Sequence, residues 1–177
     1  MSLGLGSILS GVLGRRYTIG DLLNIDPGRQ QRAGACQVNL VDTYVTMSNE
    51  SILQKFRAMF GGSNVVKTYY ITVKLQVISD TGGSHTVLIQ MEPDINRGLG
   101  YGNHVRVYCD CNDFKYRSAY MLNQRDSLFK NDYTRVRLGA AMSDSPKSKT
   151  NTTTLCKHVF AALNWLVSNY QGVMQSL

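Results

Sequence analysis

The sequence His-Val-Arg-Val-Tyr-Cys-Asp-Cys occupies residues 104–111, and Leu-Cys-Lys-His-Val-Phe-Ala-Ala-Leu occupies residues 155–163. The first stretch alternates apolar and polar residues, which is typical of a strand with one buried face. Because side chains at i and i+2 share a strand face, Cys109 and Cys111 point to the side on which the valines are buried. The second stretch has apolar residues at helical spacing, so it predicts a helix that begins near its cysteine.

Together the two stretches carry a candidate set of metal ligands: Cys109, Cys111, Cys156 and His158. Three thiolates and one imidazole make a complete tetrahedral donor set for zinc. Threonine is a good N-cap, so we expect Thr153 or Thr154 to begin the helix, with Cys156 and His158 in its first turn. The positive end of the helix dipole favours a thiolate at that place.

Two other states of these cysteines remain open. In an oxidising compartment, a disulfide can join Cys156 to Cys109 or to Cys111, although a bridge between the latter two is sterically awkward in an extended chain. Unligated cysteines that pack as small apolar residues are the other alternative. Cys36 stands apart in the sequence, and we interpret it as a packed free thiol. A free thiol in addition to a set of zinc-binding thiols indicates that the protein folds in a reducing compartment such as the cytosol.

The pattern of Cys-x-Cys followed by Cys-x-His resembles the SWIM-type zinc finger, in which a pair of strands is followed by a helix. The likeness covers the two motif blocks, residues 109–111 and 156–158, and the 44 residues between them, 112–155, form a longer gap than is usual in that family. The run Cys-Asp-Cys-Asn-Asp-Phe-Lys-Tyr from residue 109 and the ending Leu-Cys-Lys-His also resemble zinc-bearing structural proteins of tailed bacteriophages. This resemblance implies a virion component of the neck, tail or baseplate, assembled in the host cytoplasm.

No other part of the sequence has the pattern of an active site. Four protein ligands leave a zinc ion without an open position, and glutamate, a common general base, occurs only as Glu50 and Glu92. The spacing Gly-x-Gly-x-Gly at residues 98–102 precedes a strand and not a helix N-terminus, so it lacks the mechanics of a phosphate loop. His85 and His104 lie near strand ends, where a histidine is ordinarily structural. We therefore predict a protein that is not an enzyme and has no small-molecule substrate.

Most of the net charge of +7 belongs to residues 106–157, which carry ten Lys and Arg against five acidic residues. Six aromatic residues are interleaved with these charges: Tyr108, Phe114, Tyr116, Tyr120, Phe129 and Tyr133. Such a pattern is found in proteins that bind single-stranded nucleic acid, and equally in protein interfaces or simply solvated surfaces. A zinc-finger-type nucleic-acid-binding module is therefore the alternative to a non-enzymatic assembly protein.

The rest of the chain predicts an α+β fold. Alternating residues predict strands at 65–79 and 86–91 with a hairpin turn at 80–83, and the cysteine strand completes an antiparallel β-meander. Residues 37–47 are a candidate further strand, and residues 52–60 predict an amphipathic helix. We expect the C-terminal helix to pack on the meander, with the Cys3His zinc site tying the two together.

We assign residues 1–35 to an N-terminal arm and 36–177 to a single α+β zinc-binding domain, within which residues 112–155 form a long inserted loop. The first fourteen residues combine glycines with apolar residues, and no apolar run is long enough to cross a membrane. The apolar arm either docks on a partner or covers the core of its own domain, and the sequence leaves both alternatives open. We predict that the arm and the insertion contact partners, either other virion structural proteins or neighbouring copies of the chain.

Overall fold

A computed structural model describes residues 16–47, 69–92, 100–142, 154–175 and 177. Two short helices come first in these residues: α1 (Ile19–Asn24) and α2 (Pro27–Ala33). Four strands follow: β1 (Gln37–Met47), β2 (Tyr69–Ile78), β3 (Ser84–Met91) and β4 (Val105–Cys109). The remaining elements are a π-helical turn (Phe114–Ser118), α3 (Ala119–Gln124), α4 (Asp132–Leu138), a 3-10 turn (Gly139–Met142) and α5 (Lys157–Gln175).

The strands form one antiparallel sheet in the order β1-β2-β3-β4, which confirms the predicted meander. The candidate strand at residues 37–47 pairs with β2 along its length, with a bulge between Leu40 and Asp42. The predicted hairpin turn is also present, since the Ser79 N–H donates to the Gly83 carbonyl over 2.8 Å. Gly82 has a φ of +81° in this turn, a conformation that glycine adopts without strain.

One face of the sheet packs against α5. The inward residues of β2 are those that the alternation predicts, and they are fully or almost fully buried: Ile71, Val73, Leu75 and Val77. The helix contacts all four strands and buries an apolar stripe that includes Val159, Phe160, Leu163 and Leu166. The α+β class, with a C-terminal helix on an antiparallel sheet, is therefore confirmed.

Three residues on the opposite face of the sheet are buried against the simple alternation: Thr72, Leu88 and Tyr108. Thr72 lies between Tyr44 on β1 and Gln90 on β3, which are its partners in register and cover it. Tyr108 on β4 is covered by two aromatic rings of the insertion, with centroids 5.7 Å away for Phe114 and 6.2 Å away for Tyr133. The sheet is thus covered on both faces at β4.

Residues 16–35, which the sequence assigned to the arm, belong instead to the packed structure. Thr18 begins α1 with a capping box that includes Asp21, and Ile19 and Leu22 are fully buried. The Val105 N–H donates to the Tyr17 carbonyl over 3.2 Å, so this segment also pairs with the start of β4. The glycines that suggested an arm are concentrated in the first fourteen residues, which lie outside the described residues, as does the predicted helix at 52–60.

Residues 112–142 of the insertion form short helical elements with an extended segment at 127–129 between them. They bury Phe114, Leu122, Leu128 and Leu138 in the common core. Residues 127–129 extend along the free side of β4, where Leu128 forms a parallel bridge with Val107. Sequence reasoning missed these elements because each is about two turns long or less, too short for a periodic pattern to emerge. In the described part of the chain, each helix is too short or too polar to span a bilayer.

Candidate metal centre

The fold brings together all four residues that the sequence singled out as ligands. Cys109, Cys111, Cys156 and His158 are each buried, and their donor atoms all lie within 4.8 Å of one another. The Cys109 sulfur and the His158 Nδ1 are 3.9 Å apart. These four side chains come from β4, the turn after it and the start of α5, so the cluster links the strand region to the C-terminal helix.

The end of β4 fixes the first two thiols. Cys109 is the last residue of the strand and lies opposite Val87 on β3, and the Asp110 N–H still donates to the Thr86 carbonyl over 3.2 Å. The chain then turns into the insertion, where the Phe114 N–H donates to the Cys111 sulfur over 3.3 Å. An N–H bond of this kind favours the thiolate over the thiol, because the charged form accepts hydrogen bonds more strongly.

The third thiol occupies the N-cap position of α5. The helix begins at Lys157, and the N–H groups of Val159 and Phe160 donate to the Cys156 carbonyl over 3.2 and 3.3 Å. The prediction that a threonine caps this helix is therefore wrong. Thr154 is buried two residues earlier, where its carbonyl accepts a bond of 2.9 Å from the Ser118 hydroxyl. Cys156, a candidate ligand, therefore lies at the helix start and within 4.8 Å of the donor atoms at the end of β4.

The thiols differ in their readiness to ionise. Burial raises the pKa of Cys109 and of Cys156 well above the usual range of a thiol. Hydrogen bonds from these two side chains instead lower the pKa of Cys111. Burial therefore opposes ionisation of Cys109 and Cys156, whereas hydrogen bonding favours it at Cys111. A bound divalent cation would remove the cost of placing three thiolates together, as thiol ligands lose their protons to a metal.

Two polar residues that the sequence left without a role lie beside the cluster. His85 stacks on His158 with ring centroids 4.2 Å apart, and its Nδ1 is 3.1 Å from a carboxylate oxygen of Asp110. Asp110 is the middle residue of the Cys-x-Cys motif, and this position was the one sequence signal that it lies beside the candidate ligands. The sequence could not predict that His85 lies beside the cluster, because this depends on the register between β3 and β4. His104 has a structural role elsewhere, with its Nδ1 2.9 Å from the Arg16 carbonyl oxygen.

The residues of the cluster fit a tetrahedral metal ion. Zinc–sulfur and zinc–nitrogen bond lengths imply donor separations of roughly 3.5–3.8 Å, so a contraction of about 1 Å or less would close the shell. The ring nitrogen of His158 that faces the Cys109 sulfur is Nδ1, and the buried Nε2 finds no hydrogen-bond partner among the described residues. Three sulfurs and one nitrogen suit a metal such as zinc.

Cys36 lies apart from this group, as the sequence suggested. It is only half-buried and is absent from the cluster of donors. Burial raises its pKa, with the charges of Lys157 and Asp80 acting in opposite directions. Those two side chains form an ion pair of 2.5 Å between the start of α5 and the turn after β2.

The fold and the cluster together define a small α+β domain with a Cys3His centre between its sheet and its C-terminal helix. Comparison of the chain with protein-family models, with curated proteins and with solved structures gave no match. The function must therefore be inferred from the centre and from the surfaces that surround it.

Proposed function

We propose that this chain is a zinc-stabilised structural protein that acts as a component of a larger assembly and not as an enzyme. The observation that carries the proposal is the burial of all four donors, of which Cys111 and His158, at 4% and 5%, are the most exposed. A catalytic zinc keeps one position open to water or substrate, whereas a closed shell of protein ligands is the property of a structural site.

In this proposal the zinc ion connects the sheet to the C-terminal helix. Its ligands would join the end of β4 to the first residues of α5, in the order of strand pair and helix that the SWIM-type pattern implies. Between these ends lie residues 112–155, so the metal also fixes the base of the insertion. Structural zinc sites contribute on the order of 10 kcal/mol of binding free energy, much of which becomes folding free energy.

The virion role rests on the resemblance of both ligand blocks to zinc-bearing structural proteins of tailed bacteriophages. A domain of this size with an internal metal staple suits a protein that must hold its shape within a neck, tail or baseplate. Its partners would be other virion structural proteins or neighbouring copies, and it would be assembled in the host cytoplasm, where the thiols stay reduced before the metal binds.

Two measurements test the proposal. Elemental analysis of the freshly reduced full chain should find one zinc per chain, and mass spectrometry of purified particles from the source should find the chain at a fixed copy number. A metal content well below one per chain would overturn the structural zinc. Absence of the chain from the particles would overturn the virion role and leave the metal site standing.

A nucleic-acid-binding role is the second candidate, and exposed aromatic residues paired with cations favour it. Tyr116 is 62% exposed with the Lys115 ammonium 5.5 Å from its ring centre. Tyr133 is 53% exposed with the Arg137 guanidinium 5.9 Å from its ring centre. Rings and cations presented together in this way can stack on bases and neutralise phosphates.

Fluorescence anisotropy with a labelled single-stranded oligonucleotide tests this second role. Phosphate contacts predict that the affinity falls steeply as salt rises, and Tyr116→Ala should weaken binding. Tyr101→Ala is the matched control, because Tyr101 is equally exposed at 62% but lies outside the insertion. Equal effects of the two substitutions, or no binding at low salt, would exclude a nucleic-acid site on the insertion.

A further inference from the structure

The two edge strands of the sheet differ in how far their outer backbone groups are paired by other described segments. Along the free side of β4, Thr18 forms an antiparallel bridge with His104, and Leu128 forms a parallel bridge with Val107. The Phe129 N–H donates to the Val107 carbonyl over 3.0 Å, which satisfies backbone groups that an edge strand would otherwise leave unpaired. This edge has no room for a further strand.

The β1 edge is open along its length in the described part of the chain. The strand has 11 residues, twice the common length of a strand, and no described segment pairs with its outer side. Natural edge strands are usually short or carry lysines, but Asp42 is the one charged side chain of β1. Its unpaired N–H and C=O groups are a template for another extended chain.

The apolar face of the sheet also continues past α5 at this edge. Leu40 pairs with Leu75 and Val45 pairs with Ile71, so both point to the face that the helix covers. They nevertheless remain 39% and 53% exposed, although α5 contacts β1 elsewhere. A strand added beside β1 could extend this face with apolar residues of its own.

Residues 1–15 of the same chain have the chemistry of such a strand. Leucines at positions 3, 5, 9 and 13 fall on one parity, so a single face of an extended arm would present all four. The segment holds one charged side chain, Arg15, which is opposite in sign to Asp42. Fifteen extended residues reach about 50 Å, enough to match the roughly 36 Å of β1.

We propose that the β1 edge accepts residues 1–15 of a neighbouring copy as an added strand, so that copies join head to tail. The arm leaves the domain at Arg16, which is fixed beside β4 by ion pairs of 2.9 Å to Asp126 and 3.0 Å to Glu92. Donor and acceptor therefore lie at opposite edges of one sheet.

A neighbour can place its β1 directly beside this exit. An arm returning to its own β1 would first have to cross the full width of the sheet, since β1 and β4 are its opposite edges. Contacts between two different surfaces produce rings or filaments. The inference rests on the assembly role proposed above and specifies its interface.

Light scattering coupled to size-exclusion chromatography tests the proposal on zinc-loaded full chains. The unaltered chain should form an oligomer that dissociates on dilution. An arm variant, Leu5→Asp with Leu9→Asp, and an acceptor variant, Leu40→Lys with Val45→Lys, should each be monomeric. Mixed in equal amounts they should form a heterodimer and nothing larger, because one acceptor and one arm remain intact between them.

Two matched controls should leave the oligomer unchanged. Ser10→Asp adds a charge to the other parity of the arm, and Val136→Lys adds one to an exposed valine of α4. Zinc content and thermal unfolding of each variant should equal those of the parent chain, which excludes misfolding as the cause.

Four outcomes would overturn the inference. A monomeric parent chain would mean that the arm binds its own edge or none. An arm variant that still dimerises would point to pairing between two β1 strands, and a mixture without heterodimer would exclude complementation. If the zinc-loaded parent assembles and neither double variant affects it, the inference fails while the proposed assembly role stands. If the chain is absent from particles and monomeric, both fail.

Discussion

The two edges of the sheet differ in how far the described residues cover them, and this difference separates the contacts that stabilise the fold from the surface that we propose for association. At the β4 end, strand, insertion, N-terminal segment and α5 converge on a buried Cys3His cluster. At the β1 end, a long strand leaves backbone groups and apolar side chains such as Val45 exposed. Buried contacts are therefore concentrated at the β4 edge, and association at the β1 edge is what we propose.

Charged residues are also distributed unequally between the β4 and β1 edges of the sheet. At the β4 end, Asp126 accepts ion pairs from Arg16 and Arg106 and thereby joins the N-terminal segment to the insertion. Nearby, Arg29 is almost buried and pairs with Asp26 and Asp113, which connects α2 to the turn after the Cys-x-Cys motif. The described part of β1 has a single charged residue, Asp42. This asymmetry can be tested by matched substitutions at the two ends.

The largest expected effect comes from removing a ligand. Cys111→Ala should lower the free energy of unfolding by more than about 4 kcal/mol, because the metal's contribution is lost with it. Cys36→Ala, the matched control outside the cluster, should cost about 1 kcal/mol as a small half-buried group. Thermal unfolding with and without a chelator measures both. Equal shifts for the two variants, or a parent chain indifferent to the chelator, would contradict a structural metal.

The same valine truncation at the two ends gives the next largest difference. Val107→Ala on β4 should cost about 2 kcal/mol, since the side chain is fully buried against neighbours that cannot collapse into the space. Val45→Ala on β1 should cost less than about 0.5 kcal/mol because that side chain is more than half exposed. Urea unfolding of the monomer at low concentration reports both values. Similar costs would mean that the β1 edge is covered as thoroughly as β4.

A smaller effect is expected from the ion pairs at the β4 end. Burial raises the pKa of Asp126, but hydrogen bonds and charge from Arg106 and Arg16 outweigh it, so the net shift is downward. A lowered folded-state pKa stabilises the protein above the unfolded value of about 4, and this contribution is lost as the pH falls through the folded value.

Asp126→Asn keeps the side-chain shape, and asparagine tolerates the φ of +50° at this position. The carboxylate is half exposed, so the substitution should cost only about 0.5–1 kcal/mol at pH 7, and less at high salt. The difference from the parent should be constant down to about pH 5 and shrink below pH 4. A difference that grows on acidification would contradict the assignment.

The smallest effect on folding should come from a charge placed on the β1 edge. Val45→Lys is expected to change the free energy of unfolding by less than about 0.5 kcal/mol, since the residue is exposed and lysine protects natural edge strands. It should nevertheless reduce self-association of the chain, which sedimentation velocity measures. A large loss of stability without a change in association would show that β1 belongs to the core and not to an interface.

Local patterns in the sequence were enough for the main elements. The alternation of β2, the Gly-Gly hairpin turn and the helical spacing of α5 predict the meander and its packing helix, because each element is long enough to show its period. The four candidate ligands could also be chosen, since Cys-x-Cys on a strand and Cys-x-His at a helix start are local patterns. Residue types and short spacings therefore determined the α+β class and the contents of the cluster.

Tertiary structure decided what those patterns could not encode. The strand register places His85 beside His158, and the packing of the insertion buries Tyr108 on what looked like a solvent face. The sequence predicts a threonine cap for α5, but in the structure Cys156 occupies that position, where its sulfur lies beside the thiols at the end of β4. Sequence by itself determines which side chains can bury or bind a metal, since those are properties of residue types and local spacing. Which edge of the sheet is closed and which stays open is a matter of contacts between segments distant in the chain, and only the folded structure determines these.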